Sequence, residues 1–194
     1  REFYQPLKYA MYKMLISPKN AKADEIENYV TQIITASRED FLSLDVNVSE
    51  FYLSELISQI KQYYTEKLSL IKIEFTVDSY SDCLLNGDLN RSVEVMQNII
   101  ENAVKYGDGK SIAITFSEED GCSLVTVSNS GCTLASTDLP HIFDSFWRGE
   151  NSANEKGSGL GLYICRQLMR KMNGEVFAEI SNGFMNVTSV FPKA

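Results

Sequence analysis

Two asparagines and a lysine at helical spacing are the first residues whose types and positions could do chemistry. Asn98, Asn102 and Lys105 stand at i, i+4 and i+7 within residues 97–105, so in a helix they share one face. Asparagine is a poor helix former because its amide competes for backbone hydrogen bonds. Its side-chain oxygen suits Mg²⁺, which prefers oxygen ligands. The alternative is an ordinary solvated face, and this helix alone does not decide between them.

Three glycines at alternate positions, Gly157, Gly159 and Gly161, precede a predicted helix. The free N–H groups and the dipole at a helix N-terminus favour anions, so phosphate is the natural ligand. A dinucleotide-binding fingerprint would follow a strand and place its last glycine one residue later. Here a polar stretch, residues 148–156, comes first, and its composition is typical of a mobile lid. The context therefore favours a phosphate site and argues against a Rossmann fold.

Two further stretches lie between these motifs. V-S-N-S-G occupies residues 127–131, and H-I-F-D-S-F-W-R occupies residues 141–148. Taken alone, the first could be a turn at the edge of a hairpin with no ligand. The aromatic residues of the second could equally belong to an ordinary core.

Taken in order, the four stretches resemble the N box, the first glycine box, the F box and the second glycine box of the sensor histidine kinases. These kinases belong to the ATPase superfamily that includes DNA gyrase and MutL. The resemblance covers residues 49–194 well and the preceding residues loosely. It implies binding of ATP and Mg²⁺, transfer of the γ-phosphoryl group to a histidine, and relay to the receiver domain of a response regulator.

The resemblance also implies a role for individual residues. Asn102 would be the Mg²⁺ ligand, Asn98 would support the metal or its water, and Lys105 would face phosphate. Asn129 stands where the family usually has an aspartate that binds the adenine amino group, and Thr133 replaces a glycine of the same box. The implied catalytic residues are Glu2, Asn98, Lys105 and Arg148. The implied nucleotide-binding residues are Asn98, Asn102, Lys105, Tyr106, Asn129, Gly131, Phe143, Phe146, Arg148, Gly157, Gly159, Leu160 and Gly161.

The phosphoacceptor signature is the main departure from the family. Arg1, Glu2 and Pro6 fit its spacing, with Arg1 where the histidine belongs and Glu2 at the position of the proton-accepting carboxylate. A guanidinium stays protonated and cannot be the nucleophile. The single histidine of the sequence, His141, lies in the F box. A natural loss, an engineered change and a misalignment at the edge of the sequence all remain open.

The elements that must position these residues form two predicted units. Residues 1–48 contain two helices with apolar stripes, which two chains could bury in a four-helix bundle. A helical cap on the chain's own domain is the alternative. Residues 49–194 predict an α+β domain, a two-layer α/β sandwich with helices on one face of a mixed sheet. Its predicted strands lie at 71–77, 112–116, 125–127, 176–180 and 185–191, and its predicted helices lie at 51–68, after Asp88, and around Cys165.

Composition narrows the classes of partner. The net charge of −8 argues against nucleic acid. The four cysteines form no close pairs, and no apolar run approaches the ~20 residues needed to cross a bilayer, so we expect a cytoplasmic domain. The two apolar stripes of residues 1–48 predict a homodimer, and the resemblance implies a parent sensor anchored upstream in a membrane. Two other functions stay open: a non-catalytic pseudokinase scaffold that signals through dimer geometry, and a serine kinase of the anti-sigma-factor type.

Overall fold

The computed structural model describes residues 44–149 and 158–194. Its elements, in order, are β1 (Ser49–Tyr52), α1 (Leu53–Leu70), β2 (Glu74–Val77), β3 (Leu84–Gly87), α2 (Leu89–Tyr106), β4 (Ser111–Glu119), β5 (Cys122–Asn129), a 3₁₀ turn (Leu139–His141), α3 (Gly161–Lys171), β6 (Glu175–Ser181) and β7 (Phe184–Pro192). The predicted helical hairpin, with Arg1 and Glu2, lies outside the described residues. So do Gly157 and most of the predicted lid.

Helix α2 carries the asparagine face and begins where the sequence predicts. The Asp88 side chain accepts a hydrogen bond from the Arg91 N–H at 3.1 Å, which satisfies one donor of the first turn. The apolar stripe of α2, including Met96 and Ile100, is fully buried. Burial of one stripe fixes the rotation of the helix, and the polar face is therefore held in one direction.

The larger sheet has five strands in the order β2-β4-β5-β7-β6. Strands β2 and β4 are parallel, and the other neighbouring pairs are antiparallel. Alternate residues, such as Ile114 on β4 and Val125 and Val127 on β5, are buried in one core with the helices. This arrangement confirms the predicted two-layer α/β sandwich.

Two hairpin turns of this sheet have positive φ values at two successive residues. Asp120 and Gly121 join β4 to β5 with φ of 46° and 76°, and Asn182 and Gly183 join β6 to β7 with φ of 50° and 79°. Two successive positive φ values match the twist of the flanking strands, and Asn, Asp and Gly tolerate them best.

The start of the domain differs from the sequence prediction. Phe51 and Tyr52 pair with Leu85 and Leu84, so α1 begins at Leu53 and not at residue 51. Neither β1 nor β3 was predicted, because each is only four residues long and their pairing spans more than 30 positions. The predicted strand at 71–77 begins at Glu74, since the Ile73 N–H still bonds to the Leu68 carbonyl at the end of α1.

The segment immediately ahead of β1 is tied to this domain. Leu44 and Val46 pack against the core, and the Lys171 ammonium donates to the Leu44 carbonyl oxygen at 3.0 Å.

Within residues 44–149 and 158–194, no helix has the length and apolar character needed to span a membrane.

Candidate functional site

A cavity of about 270 Å³ lies between the C-terminal half of α2, strands β5 and β7, and the first turn of α3. Seven of the predicted site residues line it: Asn102, Lys105, Tyr106, Asn129, Arg148, Gly159 and Gly161. The apolar part of the wall was predicted only as core, and it includes Ile99, Ala103, Val127, Ile142, Met185 and Val187. Apolar residues recur at the same spacing in a sequence whether their side chains face a core or a ligand. The sequence therefore could not show that these residues line a cavity.

One end of the cavity brings the asparagine face of α2 against the start of α3. A Cβ built on Gly161 would lie 3.5 Å from Asn98 Oδ1 and 3.7 Å from Asn102 Nδ2. Leu160 precedes α3 and offers no side-chain cap to its first turn. The start of α3 therefore lies beside the two amides, and Leu160 supplies no capping side chain for its first N–H groups, an arrangement that suits an anion.

Asn98 itself lines a neighbouring cavity of about 280 Å³ between α1 and α2, and does not line the first one. The wall of this second cavity includes Tyr64 and Glu101, which form a hydrogen bond of 2.9 Å from the phenol to the carboxylate. Burial, followed by this hydrogen bond to Glu101, raises the pKa of Tyr64. Lys67 pairs with the same carboxylate at 2.5 Å. The contacts join α1 to α2 and hold the helix that carries the asparagines.

Lys105 and Tyr106 follow on the same side of α2. The Lys105 ammonium lies 5.0 Å from the centroid of the Tyr106 ring, and both side chains line the cavity. An ammonium over an aromatic face is a favourable contact that still leaves its charge within reach of a ligand. The pair can therefore contribute charge and an aromatic surface to the same ligand.

The opposite end of the cavity is formed by Asn129, which is 6% exposed. Its amide nitrogen donates to the Ser130 carbonyl oxygen at 3.2 Å. Gly131 has a φ of 74°, and a Cβ at this position would overlap the Asp108 side chain. The resemblance suggested that Gly131 admits a nucleobase, but Gly131 does not line the cavity, and contact with Asp108 explains the glycine.

Asp108 was not singled out in the sequence. Hydrogen bonds from the Ser130 hydroxyl and from Lys110 lower the pKa of its carboxyl group to about 2. Lys110 also forms an ion pair with it at 3.0 Å. The only sequence signal was a Gly-Asp-Gly run after α2, which indicates a turn but does not identify its contacts.

The F-box residues are divided between core and cavity. Phe143 is 4% exposed, and its ring stacks under the Arg166 guanidinium with 4.1 Å between Cζ and the ring centroid. Phe146 has a φ of 62°, and its N–H donates to the Gly159 carbonyl oxygen at 3.0 Å. Trp147 and Arg148 line the cavity, whereas Phe143 and Phe146 do not. Phe143 packs into the core because its position follows the buried Ile142.

The predicted site residues therefore fall into three groups. Those that line the cavity are Asn102, Lys105, Tyr106, Asn129, Arg148, Gly159 and Gly161. Those placed next to it or in its supporting shell are Asn98, Gly131, Phe143, Phe146 and Leu160. Arg1, Glu2 and Gly157 lie outside the described residues.

The donor set fits Mg²⁺ held by a triphosphate. Among the described residues, no group of three or more His, Cys, Asp or Glu could hold a metal ion by itself. Mg²⁺ takes only one or two protein ligands when phosphate oxygens and water supply the rest. The amides of Asn98 and Asn102, facing an uncapped helix start, match that requirement.

Known proteins resemble this chain in both sequence and structure. Residues 87–193 match the family described as histidine kinase-, DNA gyrase B- and HSP90-like ATPases. The sensor protein SrrB of Staphylococcus aureus is 25% identical over 167 residues, which cover 84% of this chain and 29% of SrrB. The chain thus spans less than a third of that relative's length.

Solved structures extend the comparison to the fold. The catalytic domain of histidine kinase ThkA superposes with a TM-score of 0.67 at 27% identity, over 76% of this chain and 98% of that one. ThkA in complex with the response regulator TrrA gives a TM-score of 0.68 at 24% identity, over 100% of this chain and 59% of that one. The described residues have the fold of a histidine kinase catalytic domain. Because the family match extends over more than half of its residues, the chain belongs to the histidine kinase-, DNA gyrase B- and HSP90-like ATPases.

Proposed function

We propose that this chain is the kinase core of a sensor histidine kinase of a two-component system. It binds Mg²⁺-ATP in the cavity beside α2 and transfers the γ-phosphoryl group to a histidine, from which a response regulator receives it. The observation that carries the proposal is the position of Asn102 and Lys105 on one wall of a cavity that the uncapped, glycine-bearing start of α3 closes. In this proposal Asn129, which lines the far end of the cavity, binds the base.

In this proposal the protein contributes positioning and charge. Asn102 supplies an oxygen ligand, and Lys105, Arg148 and the first N–H groups of α3 meet the phosphates. Bound Mg²⁺ supplies charge neutralisation of the phosphate oxygens during transfer. The apolar wall, including Ile99 and Val127, excludes water from the base.

The wider assembly is also a proposal. The ThkA complex supports a response regulator as partner, and SrrB supports a sensor protein as the parent. The apolar stripes in residues 1–48 support a homodimer, and we place the domain in the cytoplasm of a cell whose membrane anchors the sensor upstream. Light scattering on the full chain tests the homodimer, and a monomer at high concentration contradicts it.

Arg1 makes the transfer step testable. We expect the chain as given to bind ATP without labelling itself, because the guanidinium at the acceptor position is not a nucleophile. Arg1→His, with a few helix-forming residues added before it, should restore a neutral imidazole beside Glu2. The measurement is incubation with γ-labelled ATP, followed by acid and alkali treatment, since phosphohistidine is acid-labile and alkali-stable.

Two matched variants control this experiment. Arg1→Gln with the same added residues should stay unlabelled, and Arg1→His combined with Asn102→Ala should lose the label. Acid-labile labelling of the unmodified chain would show that the acceptor lies elsewhere.

The second candidate is a non-catalytic scaffold that signals through dimer geometry, and Arg1 is the residue that favours it. The same experiment separates the two functions. An Arg1→His chain that binds ATP and stays unlabelled would support the scaffold.

A further inference from the structure

Two hydrogen bonds converge on the Ser130 carbonyl oxygen at the Asn129 end of the cavity. The Asp108 backbone N–H donates to this oxygen at 3.1 Å, and the Asn129 amide nitrogen donates to it at 3.2 Å. The Ser130 hydroxyl in turn donates to Asp108 Oδ1 at 2.5 Å. We call this pair of residues, joined through both backbone and side chain, the Asp108–Ser130 clamp.

The clamp is held from both sides. The Ser111 N–H donates to the Ser130 hydroxyl oxygen at 3.3 Å, and the Ser130 N–H donates to the Ser111 carbonyl oxygen at 3.3 Å. Gly131 packs directly against Asp108, where no side chain would fit. Hydrogen bonds from the Ser130 hydroxyl and from Lys110 lower the pKa of the Asp108 carboxyl group to about 2, so this group is a carboxylate near neutral pH. The Ser130 carbonyl is therefore fixed in place as an acceptor.

A fixed acceptor determines which way round the Asn129 amide lies. Only the amide nitrogen can donate to the Ser130 carbonyl oxygen, since an amide oxygen there would set two lone-pair atoms against each other. The same nitrogen lies 3.0 Å from the place that a Cβ on Gly107 would take, so it points towards backbone. The carbonyl oxygen Oδ1 is the atom of this buried amide that is left to accept a hydrogen bond in the cavity.

We propose that the Asp108–Ser130 clamp makes Asn129 an acceptor and thereby selects a 6-aminopurine over a 6-oxopurine nucleotide. The inference rests on the proposed nucleotide site. An amide released from the clamp can turn about its last side-chain bond and donate from its nitrogen to a 6-oxo group. An aspartate has two acceptor oxygens and needs no such restraint. Asp108 and Ser130 are thus positioning residues that act through Asn129.

The test compares Mg²⁺-ATP with Mg²⁺-ITP, because inosine has a 6-oxo acceptor where adenine has an amino donor. Its N1 also carries a proton where the adenine N1 accepts, and the sugar and triphosphate are the same. Calorimetry on the full chain should show ATP binding about tenfold tighter, near the upper end of what one net hydrogen bond supports. Asp108→Ala should bring the ratio to within about twofold of one. Lys110→Ala, which removes the other side-chain partner of Asp108 and keeps its bond to Ser130, should leave the ratio unchanged.

A second pair of variants distinguishes a change in the orientation of the Asn129 amide from general damage to the loop that carries Asp108. In an Asn129→Asp background both oxygens accept, so adding Asp108→Ala should no longer change the ratio. If Asp108→Ala lowers the ratio equally in that background, the clamp does not act through the amide and the proposal is wrong. Ser130→Ala removes the hydroxyl that bonds to Asp108, together with the bonds that this hydroxyl accepts from Ser111. It replaces Asp108→Ala if that variant does not fold, and it should also lower the ratio.

The remaining outcomes distinguish this inference from the proposed function. If the wild-type chain prefers ATP and both clamp variants keep that preference, the proposed role of the clamp is wrong, whereas the proposed nucleotide site is supported. If the wild-type chain binds neither nucleotide, the proposed function fails and this inference fails with it.

Discussion

The cavity presents a side-chain amide at each end, and the two amides are held by different means. Asn102 is fixed by α2, whose buried stripe sets the direction of its polar face within a single element. Asn129 is fixed by Ser130 and Asp108, which lie on different segments of the chain. In the proposed nucleotide site, the end assigned to phosphate depends on helix periodicity, whereas the end assigned to the base depends on tertiary contacts. The two ends can therefore be perturbed separately.

The largest effect is expected at the base end. Gly131→Ala should lower the free energy of unfolding by about 2–4 kcal/mol, because it combines a positive φ with an overlap against Asp108. Gly109→Ala is the matched control, since its φ of 71° is similar and nothing lies within 4 Å of a Cβ there. We expect it to cost only about 1 kcal/mol. Urea unfolding of both variants gives the comparison, and equal losses would remove the case for a tight Asp108 contact.

At the phosphate end we expect an effect on affinity without an effect on base selectivity. Lys105→Met removes a charge and keeps an unbranched apolar chain beside Tyr106. Affinity for Mg²⁺-ATP should fall by about tenfold to a hundredfold, the range for a hydrogen bond to a charged group. The ATP-to-ITP ratio, measured by the same calorimetry, should not change. A change in that ratio would mean that the two ends are coupled.

The smallest expected effect is that of pH on the base end. The folded pKa of Asp108, about 2, is below its ordinary value of 3.8, so its contribution to stability is present above pH 3.8 and is lost as pH falls towards 2. Between pH 5 and 8 the ATP-to-ITP ratio should therefore stay constant. A ratio that changes within this window would show that another titrating group sets the orientation of Asn129.

The sequence predicted the elements that rest on local patterns. The helix after Asp88 and the alternating strands at 112–116 and 125–127 each depend on residues a few positions apart, and these elements were confirmed. The short pair β1 and β3 was missed because its partners are distant in the chain and neither strand alternates over enough residues.

The candidate site is likewise divided into residues that local motifs identified and residues whose importance depends on distant contacts. The motifs identified residues that line the cavity at its phosphate end, such as Asn102 and Gly161. They did not reveal Asp108, whose importance arises from contacts with Ser130 and Gly131, more than 20 positions away. The motifs also could not show that Phe143 packs under Arg166 in the core. An aromatic residue is equally compatible in sequence with a core position and with a ligand site.

The most direct test of the central claim is calorimetry of ATP binding in the presence of Mg²⁺ and of a chelator. The wild-type chain should bind ATP at least about tenfold more tightly with Mg²⁺, and Asn102→Ala should lose that gain. Gln97→Ala, which removes another amide of α2 on the side of the second cavity, should keep it. If Asn102→Ala retains the full Mg²⁺-dependent gain, or if the wild-type chain shows none, the assignment of this cavity as a Mg²⁺-ATP site is contradicted.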